Sequence, residues 1–175
     1  SFAKGFAPRD RLKIKTWLGD SHRGVERLVA PMPFDFQFYL HHREGAKEPV
    51  PWANTDRNGM QAVHFHVDIK YPLSAFSQDW TASHEISHLL LPYLGKKNRW
   101  FAEGFASFMQ YPVMYKAGTL TWLESATCLE ARLIQHSKSR SVQGVSILKL
   151  SDNIANRYDV RAMYWWGALY FLRVD

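Results

Sequence analysis

Cysteine is almost missing from this chain: Cys128 is the only one in 175 residues. No intrachain disulfide can form, so the fold must be held by its core, and the redox compartment is left open. Long apolar runs are missing too. Leu89-Leu90-Leu91 spans one helical turn, far short of the ~20 residues that a bilayer-crossing helix needs. Acid is not in excess, with 16 Asp and Glu against 22 Lys and Arg. The net charge of +6 brings nucleic acid or an anionic surface into view. The cations are scattered, however, with Lys4, Arg9, Arg11, Lys13 and Lys15 early, Lys96, Lys97 and Arg99 in the middle, and Lys138 and Arg140 later. None of these groups interleaves with aromatics as a strand-binding groove would, and a nucleic-acid partner is not expected. There is no repeat, no low-complexity tract and no linker to divide the chain. No secretory signal is visible, and with no initiating Met the expectation leans towards an exported, processed protein over a cytoplasmic one.

Apolar and aromatic residues, by contrast, are plentiful. At 46% hydrophobic and 15% aromatic, with seven Trp, the composition excludes a disordered chain. The length suits one domain over residues 1–175, with two lobes around a cleft.

Periodicity supplies the elements. Residues 8–30 carry Leu12, Trp17, Leu18, Val25, Leu28 and Val29 at helical spacing, with a bend expected at Gly19-Asp20-Ser21 and a stop at Pro31. Phe34–Leu40 alternates aromatic and polar residues and predicts a strand, after which His41 and His42 are expected as ordinary surface residues. Residues 43–58, rich in Pro, Asn and Gly, predict a loop. A second strand is expected over 59–69, with Val63, Phe65, Val67 and Ile69 on one face and His64, His66 and Asp68 on the other as a polar surface. Thr121-Trp122-Leu123-Glu124 has the form of a capping box opening a helix that runs to about His136, with Leu123, Ala126, Leu129 and Leu133 inward. His136 would be a favourable charge at its C-terminus. A polar loop over 137–144, a short helix capped around Ser151–Asn153 and a last helix carrying Tyr164 complete the pattern, with Tyr158 as a potential neighbour of the site.

The chemistry lies in His84-Glu85-Ile86-Ser87-His88. Residues four apart lie one above the other on an α-helix, so both imidazoles can face one ion. Zinc suits two imidazoles and a carboxylate with a place left for water, and Glu85 would stand beside that place as a base. Trp80, Ala82, Ile86, Leu89 and Leu90 make the helix largely buried, and Pro92 ends it. Two core histidines with an exposed glutamate would give the same five letters. A second stretch, Arg99–Gln110, favours the metal. Its apolar residues Trp100, Phe101, Phe105, Phe108 and Met109 fit helical spacing, Pro112 should kink or end it, and Glu103 is its only acid. A lone carboxylate among aromatics is costly without a partner, and an ion held by His84 and His88 is the economical one.

His84-Glu85-x-x-His88 followed by Trp100-Phe101-Ala102-Glu103-Gly104-Phe105-Ala106 resembles the gluzincin zinc peptidases, in particular the aminopeptidase N and glycyl aminopeptidase families. The resemblance spans about residues 58–172 and is strongest over 80–108. It implies one zinc ion on His84, His88 and Glu103, water activation by Glu85, a peptide or protein substrate, and a zincin-like (thermolysin-like) α+β fold. That fold would have a small, mainly antiparallel sheet lobe and a helical lobe with the metal between them. Fourteen residues separate His88 from Glu103, fewer than in aminopeptidase N, so the connection must be tighter. Those families also carry a Y-x-x-G-A helix whose tyrosine hydrogen-bonds the oxyanion, and Tyr164 and Gly167 fall on it. Their substrate strand begins G-x-M-E-N, with a glutamate that holds the free amino terminus. Here Gly59, Met60 and Gln61 stand at that place, and an uncharged Gln61 puts aminopeptidase action in doubt. The relatives continue beyond the tyrosine helix, whereas this chain stops at Asp175, which leaves a truncated domain open. A zinc-bearing scaffold or peptide-binding module without turnover is the alternative from another class.

Overall fold

The helix that the sequence bends at Gly19 runs straight on. In the computed structural model, which describes residues 1–137, 144–152 and 157–174, α1 spans Pro8–Leu28 without interruption. Ile14, Trp17, Leu18 and Val25 bury one stripe against the sheet and the later helices. Ser21 stays helical by donating its hydroxyl to the Trp17 carbonyl at 3.1 Å, so the polar residues at the expected bend are absorbed within the helix.

Three strands follow, β1 (Phe36–His42), β2 (Trp52–Asp56) and β3 (Gln61–Val67), in the order β1-β3-β2. β3 pairs parallel with β1, from Phe36 opposite Gln61 to His42 opposite Val67, and antiparallel with β2, from Trp52 opposite His66 to Asp56 opposite Ala62. The sheet is therefore mixed, not mainly antiparallel. The cause is the connection after β1. Buried Asp68, only 1% exposed, accepts from the Ala46 amide at 2.9 Å and the Lys70 amide at 3.1 Å. It pins the 43–51 segment across the end of β3, so β2 takes the far edge and returns through a hairpin. Asp68 is thus a loop anchor and does not share the strand's polar face. β2 lies inside the stretch that reads as a loop.

The inner face of the sheet carries Phe38, Leu40, Val63, Phe65 and Val67 into the core with Trp17, Phe76 and Ile86. The outer face is aromatic and imidazole. Tyr39 stacks on His64 at 4.7 Å and His41 on His66 at 4.6 Å. His41 Nε2 meets His64 Nδ1 at 3.1 Å, which makes His41 a paired residue and not a free surface one.

A short helix, α2 (Leu73–Gln78), which the sequence does not signal, leads into α3 (Thr81–His88), and a 3-10 turn at Lys96–Asn98 leads into α4 (Arg99–Ala117). α4 continues through Pro112. An interior proline costs ~3 kcal/mol, yet Tyr111, Val113 and Met114 are buried beside it, and burying such side chains offsets that cost. α5 (Trp122–Ser137) opens on the expected capping box: Thr121 N donates to Glu124 Oε2 at 2.7 Å and Glu124 N to Thr121 Oγ1 at 3.2 Å. Leu123 is exposed, unlike expectation. His136 stacks on Trp165, and burial, with Arg132 and Arg161, lowers its pKa, so it is not a capping charge. α6 (Ile147–Asp152) and α7 (Arg157–Val174) follow. Most of the expected 137–144 loop, Asn153 of the expected cap and the side chain of Tyr158 lie outside the described residues. No helix among the described residues is long and apolar enough to cross a membrane.

α4 and α7 cross backbone to backbone. A methyl group added to Gly104 would lie 2.5 Å from the Gly167 backbone, and one added to Gly167 would strike the Trp100 carbonyl and the Gly104 Cα. This crossing carries Tyr164 to Glu103. Gly167→Ala is therefore expected to destabilise the fold by about 2 kcal/mol or more, the range of overpacking in a fixed core. Urea unfolding followed by circular dichroism measures it, and an unchanged midpoint would show that the helices can part without cost.

Candidate metal centre

The site is built from one turn of α3 and one residue of α4. His84 and His88 sit a turn apart on α3, with ring centroids 4.9 Å apart and planes crossed at 83°. His84 is 3% exposed. Glu103 arrives from α4, and a single oxygen, Oε2, lies 3.2 Å from His84 Nε2 and 3.3 Å from His88 Nε2. Ligands at roughly 2.0–2.1 Å from a tetrahedral ion are about 3.3 Å from one another. The two observed separations match two edges of such a tetrahedron.

The other ring nitrogen of His84 tells the same story. Nδ1 lies 3.0 Å from Gln110 Oε1. With that oxygen accepting, Nδ1 carries the proton and a neutral His84 turns the Nε2 lone pair towards Glu103. A lone pair facing a carboxylate oxygen is repulsive, so the contact calls for positive charge between the two, either a second proton on the ring or a metal ion. Buried Gln110 also orients the ring, as groups behind a ligand do. It lies seven residues after Glu103, two turns along one face of α4, and that spacing is the signal by which the sequence could have revealed it.

Electrostatics point to a cation as well. Burial works against charge on both groups and is outweighed. Hydrogen bonds from His84 and His88 hold the Glu103 carboxyl far below the usual carboxylate range. Its carboxylate, with Glu85 and Gln110, raises the pKa of His84. The centre is a place of negative potential that attracts positive charge.

Glu85 joins His84 and His88 in a group whose ligand atoms lie within 4.8 Å of one another, and which could hold a metal ion. Two carboxylates therefore compete for the third ligand position. Glu103 is the better placed, since one oxygen touches both rings. Glu85 is held towards β2 instead: Thr55 Oγ1 donates to its Oε2 at 3.0 Å. Tyr164 of α7 stacks over His84 with centroids 6.0 Å apart. Burial first, then the charges of Glu103 and Glu85, raises its pKa well above the ordinary tyrosine range. It stays a protonated donor.

These groups open onto a cavity of about 610 Å³ lined by β2 and the segment after it, the 92–98 turn and the start of α4, with Glu85, His88, Glu103 and Tyr164 at its base. Gly59, Met60 and Gln61 do not line it. Gly59 and Met60 lie in the β2–β3 connection, where Met60 is 56% exposed, and Gln61 begins β3. The lining strand is β2, because the hairpin makes β2 the edge beside α3. Thr55, Arg57 and Gln110 are the residues that sequence reasoning missed. No protein-family model matches the chain, and neither curated proteins nor solved structures return a match. The metal centre stands on its geometry.

Gln110→Leu should weaken divalent-ion affinity about 10–100-fold, the usual cost of losing a group behind a ligand, in competition with a chromophoric chelator; unchanged affinity would remove Gln110 from the site. A second expectation concerns the entry to α3, where Asp79 Oδ1 accepts from the Thr81 amide at 2.8 Å. Burial, against the two Thr81 hydrogen bonds and with some help from Glu48, raises its pKa from 3.8 to about 6. Between those values the folded chain holds a proton that the unfolded chain has lost, so stability falls as pH rises through this window. Asp79→Asn keeps an acceptor and removes the titration. Relative to wild type it should gain on the order of 1–2 kcal/mol between pH 4 and pH 7, read from denaturant midpoints at both pH values. A parallel pH dependence in the two proteins would refute the assignment.

Proposed function

We propose that the protein is a zinc-dependent peptidase of gluzincin type, with a zincin-like arrangement of its sheet and helices. The observation that carries this reading is the single Glu103 oxygen set 3.2 and 3.3 Å from the two imidazole nitrogens. Two imidazoles and one carboxylate leave a tetrahedral ion one open position, the donor set of hydrolytic zinc. In this reading His84, His88 and Glu103 hold the ion. When bound, zinc supplies Lewis acidity, lowering the pKa of a coordinated water to about 7 and polarising a carbonyl oxygen.

The chain's own residues do the remaining work. Glu85, steadied by Thr55 at 3.0 Å, takes the proton from the attacking water and passes it to the leaving amine. Tyr164, kept protonated by its surroundings, donates to the oxygen on which negative charge develops. The unpaired edge of β2 gives an extended peptide a backbone to pair with, and such strand addition holds substrates by main-chain hydrogen bonds.

Glu85→Gln is expected to keep zinc, by elemental analysis of purified protein, and to lower peptide cleavage about 10²–10⁴-fold. Chelation should abolish wild-type cleavage and added zinc restore it. Undiminished turnover in Glu85→Gln would refute the base assignment. An ion-loaded wild type that cleaves nothing in a diverse peptide library would leave a zinc-bearing scaffold in place of an enzyme.

A further inference from the structure

The cleft wall is cationic in a way the hydrolytic groups do not require. Arg57 follows β2 and donates to the His88 carbonyl at the end of α3. Arg99 opens α4 one turn before Glu103, so it projects on the same face, and its charge is felt by the Tyr164 phenol. Lys96 stands on the turn between them, and all three line the cavity. Three cations away from the cleft are ion-paired, Lys13 with Asp10, Arg23 with Asp20 and Lys70 with Asp68. Arg57, Lys96 and Arg99 have no ion pair among the described residues.

Outside the metal group the wall holds one acid, Asp56. Its Oδ1 accepts from the Asn58 amide at 2.9 Å and from the Asn58 side chain at 3.0 Å, which turns that oxygen towards its own loop. Glu103 and Glu85 are taken up by the histidines and by Thr55. Burial lowers the pKa of Arg57. A partly buried guanidinium with unused donors facing a cleft is a carboxylate receptor, since its fork matches both carboxylate oxygens.

We propose that this cleft selects peptides bearing a carboxylate within a residue or two of the scissile bond, and that Arg57 and Arg99 are the side chains that recognise it. The proposal rests on the peptidase reading above for the position of that bond. Arg57 lies against the carbonyl of a metal-binding residue and Arg99 one turn from another. An extended chain advances about 3.3 Å per residue, so a carboxylate beside the bond falls within arginine reach. An acidic side chain and a free C-terminus offer the same chemistry. A substrate's amino terminus, by contrast, meets repulsion here, in keeping with an uncharged Gln61 lying outside the cavity.

The test uses matched peptides that differ by Glu against Gln at each position flanking the bond, each with a free and an amidated C-terminus. Affinity is measured calorimetrically on zinc-loaded Glu85→Gln protein, and kcat/KM on wild type. Peptides with a carboxylate should bind roughly ten- to hundredfold tighter, the range of a charge-assisted hydrogen bond. The preference should shrink as salt rises. It should vanish in Arg57→Gln/Arg99→Gln while neutral peptides bind as before. Arg57→Gln also removes the bond to His88, so Arg99→Gln alone, which breaks no side-chain hydrogen bond seen among the described residues, is the second variant. It should cost acidic peptides about tenfold and neutral ones nothing, with Arg99→Lys retaining part of the preference. A preference that follows only the free C-terminus identifies the chain end as the carboxylate. Equal affinity for all four peptide types, or a preference that survives in both variants, overturns the proposal. If carboxylates bind selectively but no peptide is cleaved, the peptidase reading fails and the receptor stands; cleavage without selection sinks the receptor alone.

Discussion

One carboxylate oxygen facing two imidazole nitrogens is the constraint to which the rest of the helical packing answers. Holding Glu103 ionised and largely buried costs free energy that no apolar contact returns. Only charge on the histidines, or an ion between them, offsets it. That is a poor way to stabilise a protein, because an uncharged residue at position 103 would carry no such cost. A feature that lowers stability and converges three donors on one point is what a functional centre leaves in a fold.

The surrounding architecture makes that convergence possible. α3 is too short to be stable alone, and it is fixed by burial of Ala82, Ile86 and Leu89 and by Asp79 at its entry. α4 brings Glu103 to it and, two turns on, Gln110. α7 can approach α4 closely only because Gly104 and Gly167 have no side chains at the crossing. The next turn of α7 then sets Tyr164 over His84. α3 contributes His84, Glu85 and His88, α4 Glu103 and Gln110, and α7 Tyr164, and β2 lines the cavity beside them.

The candidate metal site was legible because its signal is local. His84 and His88 share a face by helical geometry whatever the tertiary fold, and an acid alone on an aromatic helix is conspicuous. The capping box at Thr121 and Glu124 was legible for the same reason. What the sequence hid depends on distant partners. β2 reads as a loop because Asn54 and Asp56 are poor strand formers. Its strand character comes from β3 on one side and from Thr55 reaching Glu85 on the other. The parallel pairing of β1 was hidden because Asp68 sets it from beyond the strand. Pro112 and the Gly19–Ser21 stretch looked like breaks, yet α1 and α4 pack against each other through Gly24, where a methyl group would meet the Val113 carbonyl, and that packing outweighs the local preference.

The field in the cleft follows from how charge is spent at its base. The two charges of a divalent ion held there would be balanced by Glu103 and Glu85, leaving that end of the cavity close to neutral. The potential in the cavity is then set by the rest of the wall, where Arg57, Lys96 and Arg99 face one acid, Asp56. Low-dielectric walls focus such a field. An aminopeptidase needs the reverse, an anion to receive an ammonium. Three of the cations that the sequence scatters, Arg57, Lys96 and Arg99, come together in the fold on the wall of the cavity that His88 and Glu103 also line.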